Sequence, residues 1–261
     1  MLLDARIVGE TGPAVVILHG LLGAGRNWQT IAEQLAAAHR VVLIDLRNHG
    51  ASPWASAMRY ADMADDVRLT LAHLGIERAC MIGHSMGGKV VMQLALREPE
   101  RVTGLVVVDI APVTYPNDHE APVRALQGLD LSTLRNRAEA DKALAPAIPN
   151  TALRHFLLQN LVRDGGGYRW RVNLDAIARA MPTLIGFPAT EAVFDGPALA
   201  IVGGQSAYVD ATGEAALQAR LPQVVIERLP EAGHWPHAEA PEVVTRQLRA
   251  FLRRVEEPGA A

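Results

Sequence analysis

Residues 81–90 read MIGHSMGGKV, and two motifs with different chemistry overlap in this stretch. The phosphate-binding loop G-x-x-x-x-G-K-[ST] would use Gly83, Gly88 and Lys89. The nucleophile turn G-x-S-x-G would instead present Ser85 between two glycines, on a sharp bend from a strand into a helix. The fold and the function both depend on which motif the chain uses.

The surrounding residues favour the nucleophile turn. A phosphate-binding loop needs a hydroxyl after its lysine to hold magnesium, and Val90 has none. The apolar run ACMI (79–82) predicts a strand, and residues 86–97 have the periodicity of a helix. We therefore interpret Ser85 as a nucleophile, while an ordinary tight turn and a nucleotide-binding protein stay as weaker alternatives.

Short apolar runs rich in valine and isoleucine recur along the chain, as expected of strands buried on both faces of a parallel sheet. They are AVVIL (14–18), VVLI (41–44), ACMI (79–82), GLVVV (104–108), ALAIV (198–202) and VVIE (224–227). Helical patterns lie between them, at about 27–37, 60–74, 86–97, 211–220 and 241–254. This alternation predicts an α/β fold with a mostly parallel, doubly wound sheet.

About ninety residues separate the strands predicted at 104–108 and 198–202, whereas an ordinary loop has 2 to 6. A segment of that length must form a subdomain of its own. We expect residues 111–196 to be an inserted helical cap, and residues 1–110 and 197–261 to form the core domain.

Two segments of the insertion, residues 151–164 and 173–187, carry apolar side chains at helical spacing. Gly165, Gly166 and Gly167 break the chain between them. Because the insertion leaves the sheet at the edge where open α/β folds bind ligands, we expect it to roof the site. The alternative is a packing appendage that does not contact ligand.

The composition disfavours several classes of protein. A chain of 261 residues, 49% of them hydrophobic, can bury a core, and a net charge of −3 gives no reason to expect nucleic acid or an anionic membrane as a partner. Cys80, the single cysteine, cannot form an intramolecular disulfide. Charged residues near the N-terminus and the lack of a long apolar run argue against a signal peptide or a membrane span, so a cytoplasmic location is expected. The sequence carries no indication of oligomeric state, and residues 256–261 are expected to form a frayed tail.

The loop after the first predicted strand reads HGLLGAGRNW (19–28). Acyl transfer needs backbone N–H donors for its oxyanion, one from such a loop and one from the residue after the nucleophile, so we expect Leu21 and Met86 to supply them. The glycines of the loop do not have the spacing of the dinucleotide motif G-x-G-x-x-G. His19 and Gly20 are expected to line the substrate pocket.

The segment EAGHWPHAE (231–239) follows the last predicted strand and places His234 in a loop. A serine nucleophile needs a base within hydrogen-bonding reach, and we predict His234 for this role. His234 and His237 also have an H-x-x-H spacing, but a third ligand is not evident and no metal is expected. The remaining pocket residues are expected to be His84, Trp235 and Phe156.

These motifs resemble those of the α/β-hydrolase superfamily. More narrowly, they are similar to small capped bacterial esterases, to acyl-CoA thioesterase-like hydrolases and to their mitochondrial abhydrolase-domain relatives. The resemblance spans Leu18 to Phe251 and is carried by HGLLGAGRNW, DLRNHGAS, GHSMGG, VDIAPV, YRWRVNLDAI and GHWPHAE. It implies an α/β-hydrolase fold and a serine hydrolase that needs no cofactor.

The sequence offers more than one candidate for the acid that would orient His234. Many capped hydrolases carry it in a G-x-x-D turn after the strand that follows the cap, where this chain has Ser206. The resemblance also allows an acid one strand from the nucleophile, and we predict Asp109. Asp210 is expected to cap the following helix, and Asp45 to order its loop through Arg47 and neighbouring backbone.

The sequence thus predicts a hydrolase that cleaves carboxylic esters of small to medium acyl chains through an acyl-enzyme. Eight arginines between residues 118 and 180 could grip the phosphates of a coenzyme A leaving group, so acyl-CoA thioesters are also candidate substrates. Carbon–carbon bond hydrolysis and cofactor-free perhydrolysis use the same three side chains and stay as alternatives. A further alternative is a ligand-binding protein without catalysis, because Ser206 stands at the usual acid position.

Overall fold

A computed structural model of the protein describes residues 1–257, so the expected frayed tail lies, from residue 258 onward, outside the described residues. The strands are β1 Ala5–Val8, β2 Ala14–Leu18, β3 Arg40–Ile44, β4 Ala79–His84, β5 Val102–Val108, β6 Leu161–Asp164, β7 Gly167–Trp170, β8 Ala198–Gly203 and β9 Val224–Leu229. Seven of these strands form one sheet in the order β1-β3-β2-β4-β5-β8-β9.

The predicted parallel sheet is confirmed. Each of the six predicted strands begins and ends within two residues of its expected bounds, and all six pair in parallel with their neighbours. β1 is an additional strand that pairs antiparallel with β3 at one edge. Two of its four residues are exposed, so it lacks the continuous apolar run by which the other strands were predicted.

The helices of the described part of the chain are α1 Gln29–Leu35, α2 Tyr60–His73, α3 Met86–Arg97, α4 Glu120–Gln127, α5 Arg137–Leu144, α6 Thr151–Leu158, α7 Leu174–Leu184, α8 Ala211–Arg220, α9 Pro236–Glu239 and α10 Pro241–Glu256. The five core helices predicted from sequence correspond to α1, α2, α3, α8 and α10. In residues 1–257 no helix has both the length and the apolar character needed to cross a membrane.

Apolar side chains cover both faces of the sheet. Along β2, Val16 and Leu18 pack on the side of α2 and α3, whereas Val15 and Ile17 pack on the side of α1 and α10. All four side chains are fully buried. Because successive residues of a strand point to opposite faces, a continuous apolar run fits only a sheet that helices cover on both sides. The predicted doubly wound arrangement is therefore confirmed.

The chain between β5 and β8 forms α4 to α7 and a separate two-stranded hairpin, β6–β7. The hairpin differs from the helix predicted over 151–164, because α6 ends at Leu158 and Leu161 lies in β6. Gly165 and Gly166 adopt φ values of +55° and +94°, which glycine tolerates and which form the tight turn of the hairpin. The apolar spacing fitted a longer helix, but the glycine turn determined the local structure.

Candidate active site

Ser85 lies on the sharp bend between β4 and α3, with φ and ψ of 51° and −119°. A side chain at Gly83 would come within 2.3 Å of the Gly87 carbonyl oxygen, and one at Gly87 within 2.5 Å of the His19 carbonyl oxygen. Glycine is therefore required on both sides of the serine. The bend turns the chain from the buried end of β4 into α3 and holds the Ser85 hydroxyl at the carboxyl edge of the sheet.

The structure brings Ser85, His234 and Asp109 together. His234 Nε2 lies 3.1 Å from Ser85 Oγ, and His234 Nδ1 lies 2.7 Å from Asp109 Oδ2. Asp109 is fully buried and follows β5 directly. If Nδ1 carries the proton and donates it to the carboxylate, Nε2 is left as an acceptor for the serine hydroxyl. This is the arrangement in which an imidazole can take a proton from a serine.

The carboxylate of Asp109 has three hydrogen-bond donors. Besides His234 Nδ1, Gly203 N donates to Oδ1 at 2.9 Å, and the hydroxyl of Ser206 donates to Oδ2. The serine at the usual acid position thus binds Asp109 and leaves the contact with His234 to the carboxylate. Asp210 accepts from Gly213 N at the start of α8, so its predicted role as a helix cap is confirmed.

The backbone N–H groups of Leu21 and Met86 are both near the serine. Both residues line the same small cavity as Ser85. Within residues 1–257 neither N–H donates a hydrogen bond to another group of the protein. Next to them, Leu22 adopts φ of +60° and its N–H is bound by His49 Nε2 at 3.1 Å. Two backbone donors without an acceptor in the described part of the protein therefore belong to residues beside Ser85.

Buried histidines surround the three central side chains. His84 donates from Nε2 to the carbonyl oxygen of His234 at 2.7 Å, which fixes the backbone of the loop that carries His234. Burial lowers the pKa of His84 well below its usual value, and nearby His237 and His234 act in the same direction. Burial likewise lowers the pKa of His49 and of His237 to about 3. These imidazoles are therefore neutral near pH 7.

Tyr208 packs against His234 and was missed by the sequence interpretation. The two rings stack with centroids 3.8 Å apart and an interplanar angle of 17°. The Tyr208 hydroxyl lies 2.9 Å from His119 Nε2, and Tyr115 OH donates to the Tyr208 carbonyl oxygen at 2.7 Å. Its position two residues after Ser206 is the one signal that the sequence offered.

We use the name Ser85 cavity for a space of about 30 Å³ beside the serine. It is lined from the core by Leu21, Ser85 and Met86 among others, and from α7 and its end by Met181, Leu184 and Ile185. Space of this size holds roughly two water-sized groups. Lys89 and Tyr60, which the sequence interpretation did not place at the site, also form its walls.

The five residues predicted to line the pocket do not line the Ser85 cavity. His19 is buried and binds backbone on both sides, donating from Nδ1 to the Gly20 carbonyl oxygen and accepting at Nε2 from Leu46 N. Gly20 lies close against the ring of His84, which itself holds the His234 loop. His19 thus uses both ring nitrogens, and His84 uses Nε2, to bind backbone groups.

Trp235 and Phe156 line a separate space of about 320 Å³, which we call the Trp235 groove. Their rings are 5.9 Å apart, and Asn27 and Gln159 form part of the same groove. The centroid of the Trp235 ring also lies 5.7 Å from that of His234, so one wall of the groove is next to the histidine. The groove is much larger than the Ser85 cavity.

The prediction for Asp45 concerned a residue outside the central group. Asp45 does bind neighbouring backbone, since it accepts from Gly25 N and Ala51 N, but Arg47 pairs with Asp66 at 2.6 Å. The predicted use of Arg47 by Asp45 was therefore wrong. Cys80 is a buried strand residue, and burial raises the pKa of its thiol. The part of the chain that the structure describes has no cluster of three or more histidine, cysteine, aspartate or glutamate side chains arranged to hold a metal ion.

Residues 13–241 match a protein family described as alpha/beta hydrolase fold. The sn-1-specific diacylglycerol lipase ABHD11 of Mus musculus is 38% identical over 250 residues, which cover 93% of this chain and 81% of that protein. Esterase YbfF of Escherichia coli strain K12 is 37% identical over 239 residues, which cover 91% of this chain and 92% of that protein. A solved structure described as a marine microorganism esterase has a TM-score of 0.93 at 36% identity, over 96% of this chain and 99% of that one.

Proposed function

The chain belongs to the α/β-hydrolase family and is a hydrolase that acts on ester bonds, and from this premise we propose that it cleaves short-chain carboxylic esters through Ser85, His234 and Asp109. The observation that carries the proposal is the bridge made by His234, 3.1 Å from Ser85 Oγ on one side and 2.7 Å from Asp109 Oδ2 on the other. A histidine between a hydroxyl and a buried carboxylate supplies what a serine nucleophile needs.

In the first step His234 Nε2 takes the proton of Ser85 as Oγ bonds to the ester carbonyl carbon. The N–H groups of Leu21 and Met86 hold the resulting oxyanion. The carbon–oxygen bond to the alcohol then breaks, and the alcohol leaves with the proton from His234. Water attacks the acyl-enzyme, again giving its proton to His234, and the proton returns to Ser85 as the carboxylic acid leaves. The net reaction consumes one water and yields one acid and one alcohol.

Asp109 supports this cycle without exchanging protons. Its buried carboxylate keeps the Nδ1 proton on His234 and stabilises the imidazolium that forms in each half of the reaction. The donors Gly203 N and Ser206 Oγ fix the orientation of the carboxylate. Ser206 is thus a support for the acid in this proposal.

The Ser85 cavity supports a short acyl group, at the lower end of the range that the sequence predicted. About 30 Å³ accommodates few carbon atoms, and apolar side chains such as Ile110, Met181 and Leu184 surround it. In the proposal the insertion of residues 111–196 acts as a cap, because α7 supplies one wall of this cavity. The Trp235 groove, which begins at the histidine that protonates the alcohol, takes the leaving group.

Three of the eight cap arginines, Arg124, Arg154 and Arg169, pair with carboxylates of the protein, which favours simple esters over acyl-CoA thioesters. Arg154 is buried and donates to Asp141 and to two carbonyl oxygens, and Arg124 pairs with Glu120. Guanidinium groups that already hold carboxylates of the protein are poorly available for the phosphates of coenzyme A. Thioesters bearing short acyl groups stay within reach of the same chemistry, without specific recognition of the coenzyme.

A hydrolysis panel tests the proposal. It crosses acyl length, from acetate to decanoate, with leaving groups of three kinds, a nitrophenol, a diacylglycerol-type alcohol and coenzyme A thiol, and Ser85→Ala serves as the blank. We expect the highest kcat/KM from acetate to butyrate, with a steep decline for longer chains. For the coenzyme ester we expect the same kcat/KM as for a simple thioester at low and high salt, since phosphate pairing would be salt-sensitive.

Two results would contradict the proposal. If the wild type hydrolysed no ester faster than the Ser85→Ala blank, the proposed ester hydrolysis through Ser85 would be contradicted. A preference for decanoate with any of the three leaving groups would contradict the assignment of the Ser85 cavity to the acyl group.

A further inference from the structure

Lys89 is a buried lysine in α3 that the proposed reaction does not use. Only 1% of its surface is exposed. Its Nζ donates to the carbonyl oxygens of Val113, Ile185 and Gly186, at 3.0, 2.9 and 2.6 Å. An ammonium group has three N–H donors, so these bonds use all of them. Lys89 is therefore arranged to hold backbone and has no donor left for a ligand.

The three carbonyls belong to two segments, residues 113–115 and 184–186, which we call the cap neck. A backbone hydrogen bond of 3.0 Å joins the two segments to each other. The hydroxyl of Tyr60, in α2, donates to the Leu184 carbonyl oxygen at 2.6 Å. Side chains of two core helices, α2 and α3, thus bind the cap neck. They bind it where α7 ends and near the point where the chain enters the insertion.

A lysine in this position has a free-energy cost that an apolar side chain would avoid. Burial lowers the pKa of Lys89 to about 7, and no carboxylate in the described part of the chain pairs with it. The ring of Tyr115 lies 4.7 Å from Nζ, and the carbonyls at the end of α7 carry the negative end of the helix dipole. Methionine would fill nearly the same volume without a charge, so the specific contribution of the amine is its three bonds to the cap neck.

We propose that Lys89 is a specificity-determining residue, which limits the length of the acyl chain by holding the cap neck against α3. Leu184 and Ile185, both in the neck, line the Ser85 cavity directly. Lys89 follows Ser85 by one helical turn, so the grip acts on the wall that faces the nucleophile. The inference rests on the proposed ester hydrolysis, because it assigns the Ser85 cavity to the acyl group.

The hydrogen bonds of Lys89 limit the length of the acyl chain that the cavity accepts, because packed walls have little spare volume. Each further methylene of an acyl chain must displace atoms of the wall of a cavity of about 30 Å³. A neck that is tied to α3 by three hydrogen bonds resists that displacement. When the bonds are removed, the neck can move away from α3, and the cavity admits longer chains.

The test compares Lys89→Met with Lys142→Met, a matched change at an exposed lysine of α5. The measurement is kcat/KM on nitrophenyl esters from acetate to decanoate. We expect the ratio of hexanoate to acetate to rise about tenfold in Lys89→Met and to stay at the wild-type value in Lys142→Met. A folded Lys89→Met with an unchanged ratio, or with an equal loss on all chain lengths, would overturn the proposal.

Two further measurements keep the test decisive. If Lys89→Met does not fold, Lys89→Gln takes its place, since its shorter neutral amide keeps a polar group but cannot reach all three carbonyls. The rate at which Ser85 reacts with alkyl fluorophosphonates of increasing length reports cavity size without turnover. A wild type that hydrolyses no ester contradicts the proposed function, whereas a length profile of labelling that is identical in the Lys89 variant and the wild type contradicts the role of Lys89.

Discussion

The carboxyl edge of the sheet and the cap are held in place by different kinds of interaction. At the edge, backbone hydrogen bonds between neighbouring strands extend to the reactive residues themselves. Ser85 N donates to the Val108 carbonyl oxygen at 3.0 Å, and Asp109 N donates to the Ile201 carbonyl oxygen at 2.8 Å. Ladder bonds of this kind do not depend on which side chains are present, although the bend at Ser85 also requires glycine at positions 83 and 87.

The cap is attached mainly by side chains that come from distant parts of the sequence. Lys89 reaches carbonyls 96 and 97 positions away, and Asn160 Nδ2 binds the Leu22 carbonyl oxygen, 138 positions away, at 2.7 Å. One substitution can therefore change how the cap sits over the site. We therefore expect the edge to determine whether an ester is cleaved, and the cap to determine which ester.

The largest effect is expected at the edge. Ser85→Ala and His234→Ala each remove a group that every turnover uses, so we expect kcat to fall by about 10⁶ on all esters alike. The measurement is steady-state hydrolysis of nitrophenyl acetate and hexanoate, with circular dichroism to verify folding. Near-normal turnover in either folded variant would contradict the assignment of catalysis to the carboxyl edge of the sheet.

The second largest loss of kcat is expected when the acid is replaced. Asp109→Asn replaces the carboxylate beside His234 Nδ1 with an amide, which favours the wrong imidazole tautomer, and we expect kcat near pH 7 to fall by about 10⁴. Ser206→Ala removes one donor to the same carboxylate and should lower kcat only about tenfold. Asp210→Asn is the matched control, since Asp210 caps α8, and should leave kcat unchanged. A severe loss in Asp210→Asn would show that Asp109 is not the acid.

Buried histidines at the edge predict a pH effect on stability. The pKa of His49 is about 3 in the folded protein and about 6.5 in the unfolded chain, so between these values only the unfolded state binds the extra proton. The free energy of unfolding therefore falls with decreasing pH, by about 2 kcal/mol from pH 6.5 to 5 for this residue. Urea unfolding of His49→Asn should lack this part of the slope, while His73→Asn, at an exposed position, keeps it. An unchanged slope in His49→Asn would contradict its neutral buried state.

A substitution in the cap is expected to change the preference for acyl-chain length. Met181→Ala enlarges the Ser85 cavity, so we expect the ratio of kcat/KM for hexanoate over acetate to rise about tenfold, with a loss of stability of about 2 to 3 kcal/mol. Met63→Ala is the control, because it removes an equally buried methionine that does not line the cavity. A parallel shift in both variants would attribute the effect to general loosening and not to the cap wall.

The same division explains which features the sequence could predict. The strands of the sheet were predictable because a strand buried on both faces leaves a continuous apolar run. The three residues at the edge were predictable because local motifs at strand ends, GHSMGG, VDIAPV and GHWPHAE, mark where parallel strands converge. The hairpin β6–β7 was missed because apolar spacing over 151–164 fitted a helix equally well.

The walls of the Ser85 cavity could not be predicted in this way. Lys89 was visible in the decisive stretch, but its partners lie in the cap neck and depend on how the insertion folds back. Tyr208 and Tyr60 carry no motif, and their contacts with His234 and Leu184 join segments far apart in the chain. Side-chain contacts over long sequence separations leave no periodic pattern, so apolar and aromatic residues of this kind look the same at the site and elsewhere.

The central claim is that His234 and Asp109 activate Ser85, and covalent labelling with a fluorophosphonate tests it most directly. The protein is treated with the reagent, digested, and the modified residue and its rate of formation are determined by mass spectrometry. The account predicts one modified serine, Ser85, with labelling slower by several orders of magnitude in His234→Ala and in Asp109→Asn. Modification of a different serine, or labelling of Ser85 at the wild-type rate in His234→Ala, would contradict it.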